Sequence, residues 1–99
     1  MSEELEFLLY SRKRLVEREK ELENLLRSEV ERLRREIEVV LRLTGEEEDG
    51  MEGKVEGRLR EILRNHPKGE RAREIAREIE KIRQKLRGIE RILDTESKR

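Results

Sequence analysis

The chain has 99 residues, 51% charged and only 32% apolar, with equal numbers of acidic and basic side chains. A soluble globular domain is typically about 45–50% apolar and about 25% charged, so a large self-contained core is excluded. So is a membrane-spanning helix, which needs roughly 20 consecutive apolar residues. With no cysteine there is no disulfide or thiolate metal site. Zero net charge combined with strong helical periodicity also argues against disorder, which favours high net charge and no pattern.

The first element spans Ser2 to Thr44 without a Gly or Pro. Its apolar residues include Leu5, Leu8, Leu9, Leu15, Val16, Leu22, Leu26, Val30, Leu33, Ile37, Val40 and Leu41. From Leu22 to Val40 the steps are three or four residues, the spacing of a helical hairpin or coiled coil. Ser2 is a natural N-cap, followed by Glu3 and Glu4 where the helix dipole favours acids. Gly45 is placed to close the helix at its C-terminal end. A helix over about 3–44 would be about 63 Å long at 1.5 Å per residue.

Residues 45–53 hold three glycines and five acids and no basic residue, and are expected to form an acidic loop. A second helix is expected at about 54–65, with Val55, Leu59, Ile62 and Leu63 on one face. Asn65-His66-Pro67-Lys68-Gly69 should break it, because proline disfavours helical geometry in the residue before it and has no N–H to donate.

The third helix is expected at about 69–93. Ala72, Ile75, Ile79, Ile82, Leu86, Ile89 and Leu93 step 3-4-3-4-3-4, the most regular stripe in the chain. Continuing the second helix's stripe by sevens lands on His66 and Arg73, one residue from Ala72. The two stripes therefore differ by about 100° of helix rotation, and the break at Pro67 lets the chain re-aim. Residues 94–99 are expected to fray.

The expected fold is all-α: one long helix antiparallel to two shorter ones, within a single helical domain 1–99 that assembles into a larger bundle. Two paired helices bury only a narrow seam. Phe7, Tyr10, Val39 and Leu43, and adjacent pairs such as Leu8-Leu9, widen the apolar surface beyond it. Homodimerisation or higher self-association is therefore expected. The packing and interface residues are expected to be Leu22, Leu26, Val30, Leu33, Ile37 and Val40 on the first helix, and Ile75, Ile79, Ile82, Leu86 and Ile89 on the third. Arg12 and Glu19 lie on the line of the stripe and can fix register by pairing across it.

No catalytic constellation is visible. His66 has no second His or Cys to complete a metal site, and Ser11 and Ser28 have no nucleophile context. Neither enzymatic activity, a cofactor, a metal nor a small-molecule ligand is expected. The acidic residues 46–49 with Glu52 do not follow the alternating ligand pattern of a calcium loop. Residues 54–99 hold 15 basic and 9 acidic side chains, and phosphate binding by this arm would be salt-sensitive. However, the chain has only two aromatics, few for stacking on bases, and many of the basic residues sit three positions after a Glu, as in Glu70–Arg73, which is ordinary helix-surface support. The start, Met1-Ser2-Glu3-Glu4, carries no signal-peptide core, so a cytoplasmic or recombinant soluble protein is expected. The Glu- and Arg-rich, Cys-free composition suits a designed helical protein or a small accessory factor from a hyperthermophile.

Overall fold

The computed structural model describes residues 2–45 and 50–97. The fold is all-α: α1 (Glu3–Leu43), α2 (Met51–Asn65), a 3-10 turn (Pro67–Gly69) and α3 (Glu70–Ser97). Among the described residues there is no strand.

The helix ends are set by local chemistry. Ser2 Oγ accepts from Leu5 N–H at 3.1 Å, capping α1. At the other end Gly45 has φ +78°, and its N–H donates to the Arg42 carbonyl at 3.1 Å, the left-handed closure that glycine allows without a Cβ clash. α2 begins at Met51, three residues earlier than expected, so Met51, Glu52 and Gly53 are helical rather than loop. Glu46, Glu47, Glu48 and Asp49 of the expected acidic loop lie outside the described residues. α3 runs four residues past Leu93, into the tail expected at 94–99. Over that stretch Thr95 Oγ1 donates to the Arg91 carbonyl at 2.9 Å and Ser97 Oγ to the Asp94 carbonyl at 3.0 Å. Lys98 and Arg99 lie outside the described residues.

The chain divides into two compact units, Met1–Asn24 with Ala76–Arg99, and Leu25–Ile75. In the first, the N-terminal part of α1 pairs with the C-terminal part of α3. The ion pairs run antiparallel: Arg12–Glu90 at 3.2 Å, Glu19–Arg83 at 2.9 Å and Glu23–Arg83 at 3.2 Å. Among the described apolar residues of this unit, only Leu22, Ile79 and Ile82 are buried.

The second unit closes around a fuller core. Leu33, Ile37 and Leu41 of α1 pack with Val55 and Leu59 of α2, and Val30, Met51, Ile62 and Leu63 pack against that cluster. Of the expected packing and interface residues, Val40 is 52% exposed in the single chain, and its neighbour Leu41 is buried. The buried positions advance in steps of four, Leu33-Ile37-Leu41 against Val55-Leu59. Rows spaced four apart interdigitate in ridge-into-groove packing, whereas an alternating 3-4 seam would have selected Val40.

Gly69 makes the junction between α2 and α3. A Cβ there would lie 2.8 Å from the Ile62 carbonyl carbon and collide with its oxygen, so the two backbones meet where only glycine fits. Arg73 occupies the same corner. Its Nη1 donates to the Ile62 and Leu63 carbonyls at 2.9 and 3.3 Å, and its Nη2 to the His66 carbonyl at 2.9 Å, so one guanidinium caps the end of α2. His66 Nδ1 accepts from Lys68 N–H at 3.1 Å, opening the turn that re-aims the chain.

Candidate interaction surface

The residues expected to pack fall into both units and into three degrees of burial. Leu22, Ile79 and Ile82 are buried in the first unit, and Leu33, Ile37 and Ile75 in the second. Leu26, Val30, Leu86 and Ile89 are half-buried. Val40 faces solvent.

What remains exposed is more informative for function. In the first unit, Phe7 is 68% exposed, Tyr10 58% and Ile92 48%. These residues rim a shallow groove of about 590 Å³ between the two helices, floored by Leu15, Gly88 and Ile89 and bordered by Arg14 and Lys85. Arg14 Nη1 donates to Tyr10 Oη at 3.1 Å, and its guanidinium carbon stands 5.8 Å from the ring centroid, a cation–π contact that fixes the tyrosine on the face. Both aromatic residues of the chain are on this one surface.

The second unit has its own exposed apolar residues, Leu25, Val39, Val40 and Leu43. A groove of about 540 Å³ lies beside Val40, but Glu36, Arg58, Glu61, Asn65, His66 and Lys68 supply much of its wall. Its apolar base, Leu33, Ile37 and Leu41, already belongs to the internal core.

Glu29 was not legible as a site residue in the apolar pattern. It lies on the buried stripe between Leu26 and Leu33 and is only 9% exposed. Arg32 donates to it through Nη2, and through Nε at 3.3 Å, while Arg71 Nε lies 3.9 Å away. The Arg32 hydrogen bonds hold the Glu29 carboxyl below its ordinary range, against the upward push of burial, and the charges of Arg32 and Arg71 add to the lowering. The only available signal was spacing: Leu22-Leu26-Glu29-Leu33 steps 4-3-4, with a carboxylate in a core position. Arg12 and Glu19, the other polar residues on the stripe line, pair with Glu90 and Arg83 within the chain.

The basic arm is substantially engaged. Arg83 is held by Glu19 and Glu23, and its pKa is raised by hydrogen bonds to both. Arg87 pairs with Glu80 at 3.2 Å and Arg73 with Glu70 at 2.9 Å. Among the described residues no group of three or more His, Cys, Asp or Glu side chains is placed to hold a metal ion, and no helix is long and apolar enough to cross a membrane. Compared with known proteins, the chain matches no family model, no curated protein and no solved structure.

Proposed function

We propose that this chain is a non-enzymatic helix-packing protein that works by self-association, as a homodimer or a higher oligomer. The observation that supports the reading is the imbalance in the first unit. Three apolar side chains are buried there among the described residues, while Phe7 and Tyr10 are more than half exposed and Ile92 and Val16 are 48% and 37% exposed. Burying a large apolar side chain is worth roughly 1.5–3 kcal/mol, so association recovers free energy that the isolated chain forfeits. Exposed apolar patches of this kind, rimmed by polar residues, are characteristic of association surfaces. A coiled-coil-like or bundle scaffold with dense surface ion pairs would also resist heating. That holds equally for a designed chain with no natural role and for a small hyperthermophile factor.

Light scattering across a concentration range tests the reading. We expect a molar mass at or above twice the 12.0 kDa of the chain. A constant 12.0 kDa up to about millimolar concentration would refute it. Ile82→Asp, which puts a charge in the first unit's seam, is expected to abolish both folding of that unit and assembly.

The alternative, a nucleic-acid-binding or protein-binding accessory factor using the basic arm, has less support. Arg73, Arg83 and Arg87 are already paired with carboxylates, and the chain has only two aromatic residues to stack on bases. Filter binding at two salt concentrations separates the readings: salt-sensitive retention of nucleic acid favours the alternative.

A further inference from the structure

We infer that ionic strength opens the first unit on its own: its α3 segment parts from its α1 segment as salt rises, while the second unit stays closed. The inference concerns the single chain and is independent of the self-association reading.

The apolar hold on the two units is unequal. In the first, Leu22, Ile79 and Ile82 are buried among the described residues, and Leu15, Leu86 and Ile89 are half-buried. In the second, the cluster of α1 and α2 is joined by the buried Ala72 and Ile75. Arg73 adds hydrogen bonds of 2.9 Å to the Ile62 and His66 carbonyls. Parts of a protein with few buried apolar contacts open at lower free energy than its closed core.

A ladder of ion pairs joins the two segments of the first unit alongside its thin seam. Arg12–Glu90 stands at 3.2 Å, Glu19–Arg83 at 2.9 Å, Glu23–Arg83 at 3.2 Å and Arg18–Glu78 at 3.9 Å. Apart from Glu19, every side chain in the ladder is more than a third exposed. Exposed pairs of this kind are weakened by salt.

The charge of the segments separates the units further. Residues 2–24 carry seven acids and five bases, and residues 76–97 carry five acids and six bases. Lys98 and Arg99 add two more bases to the second of these. The two segments are therefore of opposite sign and attract each other beyond their contact pairs. In the second unit, residues 25–43 carry four acids and five bases, and residues 51–65 three acids and four bases. Those two helical segments have the same sign. Screening relieves their repulsion, and although Arg34 pairs with Glu56 across them, their buried cluster is unaffected by salt. The acids at 46–49 lie outside the described residues. The screening length falls from about 30 Å in 0.01 M salt to about 3 Å in 1 M, so salt removes most of the attraction that closes the first unit and little of what closes the second.

Thiol labelling of the full chain tests this, because the chain has no cysteine of its own. Ile79 and Leu59 are equally buried, each 4% exposed, one in each unit. Ile79→Cys and Leu59→Cys are labelled with uncharged iodoacetamide in about 0.01 M and about 1 M sodium chloride. Each rate is divided by that of the urea-unfolded variant at the same salt, and light scattering gives the molar mass in both. Ile79→Cys is expected to label at least tenfold faster at the higher salt, and Leu59→Cys to change less than twofold. Leu22→Cys, on the facing helix of the first unit, is expected to follow Ile79→Cys, which guards against a local effect of either substitution. Adding Arg83→Gln to Ile79→Cys removes two pairs of the ladder. It is expected to speed labelling at low salt several-fold and to shrink the salt effect. If Ile79→Cys is insensitive to salt, or Leu59→Cys responds as strongly, the inference is overturned. It is overturned as well if Arg83→Gln leaves the salt effect whole, or if labelling accelerates only where the molar mass falls, since salt then acts on assembly and not on the chain.

Discussion

The two units use the same residue types and reach different degrees of completion. The second packs Leu33, Ile37 and Leu41 of α1 against Val55 and Leu59 of α2, and also holds the buried Ala72 and Ile75 at the start of α3. The first has two segments, and its seam buries Leu22, Ile79 and Ile82 alone. Three helices can enclose a line of side chains, whereas two can only cover one flank of it. A chain with only 32% apolar residues therefore buries more of them in the unit with three segments than in the unit with two, and each unit leaves some exposed. Stability belongs chiefly to the second unit, and the self-association proposed above is assigned to the first.

Core truncation should separate the units most strongly. Leu33→Ala removes a side chain that is 1% exposed at the centre of the closed core, and is expected to cost about 2–5 kcal/mol. Leu86→Ala, half-buried in the first unit, should cost only about 1–2 kcal/mol, because part of its surface is already wet. Urea unfolding at low protein concentration measures both. Equal losses would contradict the division between a closed and an open core. Gly69→Ala comes next: a methyl against the Ile62 carbonyl must push α2 and α3 apart, at about 1–3 kcal/mol. Loss of amide-exchange protection concentrated in α2 would locate the damage.

The pattern of these residues explains what could be read in advance. The stripe of α3 was legible because its 3-4 alternation is unbroken from Ala72 to Leu93. The end of α1 was less so. Val40 and Leu41 are both apolar, and the choice between them depends on whether α2 packs in rows of four, a tertiary property. Glu29 was hidden because a carboxylate among Leu26, Val30 and Leu33 reads as surface until Arg32 and Arg71 are seen to close over it. Gly69 read as a helix breaker, which it is, but its close approach to Ile62 is invisible without coordinates. The exposed Phe7, Tyr10, Val39 and Leu43 were anticipated, since the long helix offers more apolar faces than one seam can cover.

Glu29 gives a smaller, pH-dependent contrast. Its folded carboxyl is held below the ordinary value of 4.5. The stabilisation it provides is therefore complete above that value and is lost as pH falls through the lower, folded one. Thermal melts of wild type and Glu29→Gln should differ at pH 7 and converge toward pH 3. A difference that stays constant across that range would assign the Glu29 effect to packing instead of charge. Arg32 and Arg71 remain largely solvated when Glu29 is replaced, so neither becomes a stranded buried charge. Glu29→Leu is accordingly expected to be tolerated or mildly stabilising.

The smallest expected effect concerns Gly57. It lies in the interior of α2 with open space around its Cβ position, and its φ is not in the left-handed region. Alanine fits there without strain, and it reduces the freedom of the unfolded chain while favouring the helix. Gly57→Ala should therefore stabilise the second unit by about 0.4–1 kcal/mol, read as a shift in the urea midpoint at unchanged slope. The molar mass should not change, because Gly57 lines neither of the two grooves described above. A change in mass would move association from the first unit to α2 and reverse the assignment of roles to the two halves of the chain.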